Sequence, residues 1–292
     1  MMPVPDGPAA RIVDRGYRRY DGPRLGPAGA QRSLIRHTAQ RVLGLRRPAR
    51  AKVLPVMAAV IAYVPAIVFI GLAALLDIDE FLDAIPTYAE YYSFVVSAII
   101  VFVAFVAPEA LCPDRRTGLF GLYLAAPLTR NRYVVAKAIA VAGLLAISTI
   151  GPPLLLLVAN IIQGLGPDGP ADIVLLLFRI LVAGIVVTGV FSAVSLGISS
   201  LTDRRAFAAA GVILVLLVTG VVANALVDAE APAWLLALSL ADAPFELVYR
   251  VFGERGNLPE VDTFSLAAGQ AGWFLLGSAV LWYRHQRFVV TR

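Results

Sequence analysis

Six apolar runs constrain this chain more than any other feature. Each is near the ~20 residues that a helix needs to cross a ~30 Å hydrocarbon layer. They cover about 53–76, 91–107, 133–162, 173–201, 207–227 and 263–283. Of the 292 residues, 59% are hydrophobic and 15% charged, against ~45–50% apolar and ~25% charged in soluble domains, an excess that a water-soluble core cannot hide. The expected fold class is therefore all-α integral membrane, with six transmembrane helices. The 52 residues before the first run carry many arginines and no cleavable pattern near the start, so that run is read as a span and not as a signal peptide.

Charge sets the orientation. Segments 1–52, 108–137, 202–206 and 284–292 hold 12, 5, 2 and 3 Lys/Arg, whereas 77–90, 163–172 and 228–262 hold 14 of the 20 acids and only Arg250 and Arg255 as bases. The positive-inside bias places both termini in the cytoplasm, and an even number of spans agrees with both ends lying on one side; the expected location is the plasma membrane, with the preponderance of arginine over lysine pointing to a bacterial source. The net charge of +5 is then the difference between a basic inner face and an acidic outer face, not a nucleic-acid signature. Three parts follow: a cytoplasmic arm over 1–52, a six-span domain over 53–283 and a cytoplasmic tail over 284–292. Within the arm, Gln31–Leu45 puts Leu34, Ile35, Thr38, Val42 and Leu45 on one helical face and Arg32, Arg36, Gln40 and Arg47 toward the other. Such a helix lies in the headgroup layer, its arginines attracted by anionic lipid, or else the arginines only fix topology. Residues 1–30, rich in Pro, Gly and Arg, read as extended or disordered.

Chemistry is conspicuously missing. Cys112 is the single cysteine and His37 and His285 the only histidines, so neither a disulfide nor a metal site is expected. The two lysines, Lys52 and Lys137, follow alanines, which rules out a glycine-lysine phosphate loop, and no nucleophile elbow or zinc-protease motif occurs. Ser148, Ser192, Ser195 and Ser199 have no histidine within helical reach and are read as helix-packing residues, with Ser195/Ser199 and Ala268/Gly272 as close-packing pairs. No catalytic residue is expected. The span interiors hold no acid of the kind that ion-coupled transporters use. Asn160 and Arg179 are the notable polar residues; Arg179 either snorkels outward, pairs with Asp172 or lines a pathway.

The segment between the second and third runs is more organised than a connector. Asp114 after Pro113 reads as a helix N-cap and Pro127 as a stop, which brackets a helix of about 12 residues, too short to cross. Leu119, Leu122, Tyr123 and Ala126 fall on one face that can sit against the membrane domain, and Gly118, Gly121 and Ala125 form a small-residue strip open to another surface. Arg115 and Arg116 stand at one end, Arg130 and Arg132 at the other, with Thr129 positioned to cap the next span and Lys137 to snorkel toward the cytoplasm. This is either an interfacial helix resting on headgroups or a docking helix for a cytoplasmic partner.

The pieces Asp114-Arg115-Arg116-Thr117-Gly118, Ala126-Pro127-Leu128-Thr129-Arg130 and Lys137, together with the six-span plan, the amphipathic helix leading into span one and the long outer loop before the last span, resemble the type 2 ABC transporter permeases. Thr117-Gly118 reverses the Gly-Thr order of many members. The resemblance implies that the short helix is a coupling helix docking on a separate ATP-binding subunit. Glu109, Asp114, Arg115, Arg116, Gly118, Gly121, Tyr123, Pro127 and Arg130 would form that contact. It further implies two ATPase copies, a second permease subunit as homo- or heterodimer, and no cofactor in this chain, with ATP and Mg on the partner.

Pro55 and Pro65, and Gly151 with Pro152 and Pro153, are read as kinks that either act as hinges or only improve packing. The outer loop 228–262 carries two short apolar stretches, Pro232–Ala241 and Asp242–Phe252, the second with a Phe245, Val248, Tyr249, Phe252 stripe. They are expected to form short outer helices that act as an outer lid over the exit or simply cap the bundle. The expected function is the permease subunit of an ATP-driven exporter for a hydrophobic or amphipathic substrate such as a drug, a lipid or a lipid-linked molecule. The alternatives are an ATP-independent secondary transporter or channel, and a membrane-embedded enzyme or scaffold.

Overall fold

A computed structural model describes residue 22 and residues 25–45, 52–75, 86–125 and 127–287. Most of 1–30, Arg47, Ala126 and most of the tail lie outside the described residues. The described chain is all-helical: α1 (Gly26–Val42), α2 (Val53–Leu75), α3 (Tyr88–Arg116), α4 (Leu119–Ala125), α5 (Arg130–Thr149), α6 (Gly151–Ile162), α7 (Pro170–Ser199), α8 (Arg205–Asp228), a 3-10 turn (Ala233–Leu238), α9 (Ala243–Phe252) and α10 (Thr263–Gln286). Six of these segments, with α5 and α6 counted as one, are long and apolar enough to cross a membrane, the architecture of a multi-pass membrane protein.

The six spans match the expected runs except at their ends. The apolar run of the second covers 91–107, yet α3 is 29 residues long and continues through Pro108 and Pro113 to Arg116. A proline inside a helix leaves the carbonyl four residues earlier without its donor. For Pro113 that carbonyl is Glu109 O, and the Arg41 guanidinium of α1 donates to it at 3.2 Å. A side chain 68 positions away therefore allows the helix to pass its proline, a replacement that a window of local sequence cannot reveal. The helix stops where Gly118 adopts a left-handed backbone with φ of 70°.

In the third span the proline pair does break the helix. α5 ends at Thr149 and α6 restarts at Gly151 with Pro152 and Pro153 in its first turn, both buried. The Thr149 carbonyl that Pro153 orphans accepts from the Tyr92 hydroxyl at 2.8 Å, and Tyr63 donates to the Ile147 carbonyl at 2.9 Å.

Packing follows small side chains. Ala58, Ala62 and Ala66 form a buried strip on α2 against α3, which is the most enclosed of the spans. The most extensive helix contact joins α7 to α10. Its close approach is at Gly277, where a Cβ would lie 2.5 Å from the backbone carbonyl carbon of Ala193, and at Gly197, where a Cβ would lie 2.8 Å from the Gly277 oxygen. The expected Ala268/Gly272 pair is not a crossing point, because a Cβ on Gly272 would meet nothing within 4 Å.

Cross-contacts sort the ends of the bundle. Glu109, Arg115, Arg130, Ser200, Asp203, Arg205 and Gln286 meet at one end, which carries the described base-rich segments. At the other, acid-rich end, Asn160 donates to the Tyr88 hydroxyl at 3.0 Å and Thr87 to Glu254 at 3.0 Å. The 3-10 turn and α9 occupy that acidic end, where Gln270 and Trp273 of α10 donate to Ala237 O and Leu238 O at 2.8 and 2.9 Å. Phe245, Val248 and Phe252 of the expected stripe are buried in the core. Glu246, also buried, accepts from the amides of Gly256 and Leu258 at 3.1 Å each and pairs with Arg250 at 3.0 Å, which fixes the loop that follows α9.

Candidate functional site

The densest polar arrangement lies at the basic end, around Asp114. Its side chain is fully buried (0% exposed) in the last turn of α3. Arg41 of α1 is ion-paired to one carboxylate oxygen. Lys137 of α5, 1% exposed, places its Nζ 2.6 Å from the other, to which the Tyr133 hydroxyl donates at 2.9 Å. Lys137 also donates to Thr38 Oγ1 of α1 at 3.0 Å and to Ala110 O at 2.9 Å, and Arg41 shares that same carbonyl at 2.9 Å. One carboxylate thus serves two cations. The uncompensated positive charge is solvated by the Ala110 and Glu109 carbonyls and by the faces of Tyr133 and Tyr123, whose ring centroids lie 5.4 and 6.0 Å from Lys137 Nζ.

Three expectations are corrected here. Asp114 is not the N-cap of a short helix, because α3 runs past it to Arg116. Lys137 does not reach water; it is held inside by Asp114 and Thr38. The short helix has 7 residues, Leu119–Ala125, not about 12, since the first turn assigned to it belongs to α3. Its seating also differs. Phe120 is the anchor, 5.0 Å from the Tyr133 ring and 5.9 Å from His285, whereas Leu122 is 66% exposed.

The remaining residues singled out in the sequence divide into bonded and exposed groups. Arg115 pairs with Asp203 at 3.0 Å and donates to Ser200 O, so it binds α3 to the α7–α8 turn. Glu109 pairs with Arg205 of α8. Arg130 donates to Gln286 O at the end of α10, and Thr129 caps α5 by accepting from the Arg132 amide at 3.3 Å. Tyr123 and Gly121 are half-buried, and Arg116, Gly118 and Pro127 are exposed. Arg179, Pro152 and Pro153 stand apart from this group. Arg179 donates to Phe252 O at 3.1 Å, a tie between α7 and α9 rather than a pairing with Asp172.

The arm helix differs in its bounds from the expected amphipathic helix and is packed on the bundle. It runs 26–42, not 31–45, and it is packed on α5 and α3 through Leu34, Thr38, Arg41 and Val42, while Leu45 is exposed. Arg41, Thr38 and Tyr133 were not picked out as site residues. A signal existed: Leu34, Thr38 and Arg41 follow i, i+4, i+7 spacing, which places an arginine on the apolar face. An arginine there needs an acid, and Asp114 is one of only two acids between 91 and 167.

Mechanically, the cluster is a joint. α1, the end of α3 and the start of α5 are tied together by buried charge-assisted bonds, and α4 rests on them through Phe120 against the Tyr133 ring.

Comparison with protein-family models found no match, and comparison with curated proteins found none either.

Proposed function

We propose that the chain is the membrane-spanning permease subunit of an ATP-driven transporter of the type 2 ABC class. In this reading it exports a hydrophobic or amphipathic substrate and takes its energy from a separate ATPase docked at the basic end, which faces the cytoplasm. The observation that carries this reading is the corner between α3 and α5. Its back is fixed to the bundle through Asp114 and Phe120, while Arg116, Gly118, Leu122 and Pro127 face outward. An exposed leucine and arginine on a rigidly backed corner suit a protein partner better than an unattached interfacial helix does.

The mechanism follows from rigidity. ATPase subunits that close on Mg-ATP and reopen after hydrolysis would push on α4, and the Asp114 joint would turn that push into a tilt of α3 and α5 as rods. The break at Ile150 between α5 and α6 lets the outer part of span three lag the inner part. A second permease subunit completes the pathway, and α9 with the 3-10 turn acts as a lid at its outer end.

Docking makes a specific prediction. Arg116→Glu together with Leu122→Glu should leave insertion and thermal stability within about 0.5 kcal/mol of the parent, as exposed substitutions do. Co-purification of an ATP-hydrolysing polypeptide from the native membrane should be lost. Unchanged co-purification counts against docking at this corner. Arg115 is unsuitable for the same test, because its loss would also release the α7–α8 turn.

A further inference from the structure

A groove of about 520 Å³ runs between α2 and α3, lined by Val53, Met57 and Ile61 on one side and by Ser97, Val101 and Phe105 on the other, with Ala58 and Ala98 among its remaining lining residues. All but one of its lining residues are apolar. It occupies the half of the span nearest the basic end, since Val53 begins α2 and Phe105 lies about three turns before the end of α3. The two helices cross the bilayer, so acyl chains bathe this face. A fixed concavity of this size, unlike a flat helix surface, can hold one chain in place.

The mouth of the groove states which lipid. Lys52, exposed, immediately precedes the lining residue Val53. On the opposite side Glu109 lies one helical turn beyond Phe105 and is neutralised by the half-exposed Arg205, with Arg204 adjacent. Among the described residues the mouth therefore carries more cations than anions, above a neutral groove whose one polar lining residue is Ser97. The geometry points to a bound anionic phospholipid of the leaflet at the basic end, one acyl chain lying in the α2–α3 groove and its phosphate facing Lys52 and Arg204, the cations at the mouth that Glu109 does not neutralise. This site is separate from the Asp114 joint and does not depend on the transporter reading.

The test uses the full-length protein in nanodiscs containing phosphatidylcholine and phosphatidylglycerol, each spin-labelled in turn. The parent protein should immobilise labelled phosphatidylglycerol in preference to phosphatidylcholine. Lys52→Gln should reduce that preference about fivefold, the ratio that corresponds to ~1 kcal/mol for one basic side chain at an anionic surface. Filling the groove with Ser97→Phe or, as a second variant in case the first misfolds, Val101→Trp should remove the immobilised component for both lipids. Equal immobilisation of the two lipids in the parent, or an immobilised component that survives both filling variants, overturns the proposal. A second copy of the chain as the occupant is tested with Met57→Cys in a Cys112→Ser background, and disulfide-linked dimers through Cys at 57 would overturn it as well.

Discussion

Replacing Asp114 by Asn should lower the unfolding free energy by about 3–5 kcal/mol, the cost of leaving buried cations without their counter-charge. The substitution keeps the side chain's shape and one oxygen to accept from Tyr133, but it sets an amide NH2 donor against the Arg41 guanidinium, so the loss combines the missing charge with a missing acceptor. Two cations are stranded, Arg41 and Lys137, and both are buried. Adding Lys137→Met to Asp114→Asn should therefore recover a substantial part of the loss, whereas Lys137→Met alone should be destabilising because it deprives Asp114 and Thr38 of a partner. The measurement is denaturant unfolding in detergent micelles, accompanied by limited trypsin digestion of the arm. Release of α1 should uncover Arg41, and its unwinding should open the bonds after Arg32 and Arg36 to cleavage before the bundle unfolds. A change under about 1 kcal/mol for Asp114→Asn, with the arm still protected, would mean that the carboxylate does not hold the joint.

The second large effect is expected at the α7–α10 crossing. Gly277→Leu should prevent recovery of folded protein or cost more than the ~1–3 kcal/mol of ordinary overpacking. The atoms a Cβ would meet are the Ala193 carbonyl carbon and oxygen, at 2.5 Å, and backbone cannot rotate out of the way as a side chain can. Gly272→Ala provides the control on the same helix. That position has open space around it and should be neutral, or more stable by up to ~1 kcal/mol from helix propensity. Similar behaviour of the two variants in thermal unfolding would refute the crossing.

Structure in this protein is legible in the sequence wherever a physical rule acts locally. Span number came from unbroken apolar length, and the break at Pro152–Pro153 from lost backbone donors. The Thr129 cap and the short helices over 233–252 likewise need only neighbouring residues to be recognised. What escaped were features made by residues distant in sequence. Pro113 resembled a helix boundary because its replacement donor, Arg41, comes from another helix. Lys137 resembled a snorkelling residue because its acceptor, Asp114, was assigned to a cap. The Gly277 contact was missed since one glycine in an apolar helix gives no indication of which helix it meets, and the spaced pair at Ala268/Gly272 seemed a better match to the small-residue pattern. For the candidate site, the segment 108–132 is marked in the sequence by its prolines and charges, but the partners Arg41 and Thr38 that hold Asp114 and Lys137 come from the arm.

In the proposed reading, force enters this chain from a separate nucleotide-hydrolysing partner at the α3–α5 corner. The most direct test of that reading places a photo-crosslinking amino acid at Leu122, and in a second variant at Leu226 near the acidic end, followed by irradiation in native membranes. An adduct is expected from position 122, and none from position 226, to one polypeptide that also binds azido-ATP. A chain that forms no adduct from position 122 to any nucleotide-binding polypeptide, while remaining folded and inserted, would contradict it.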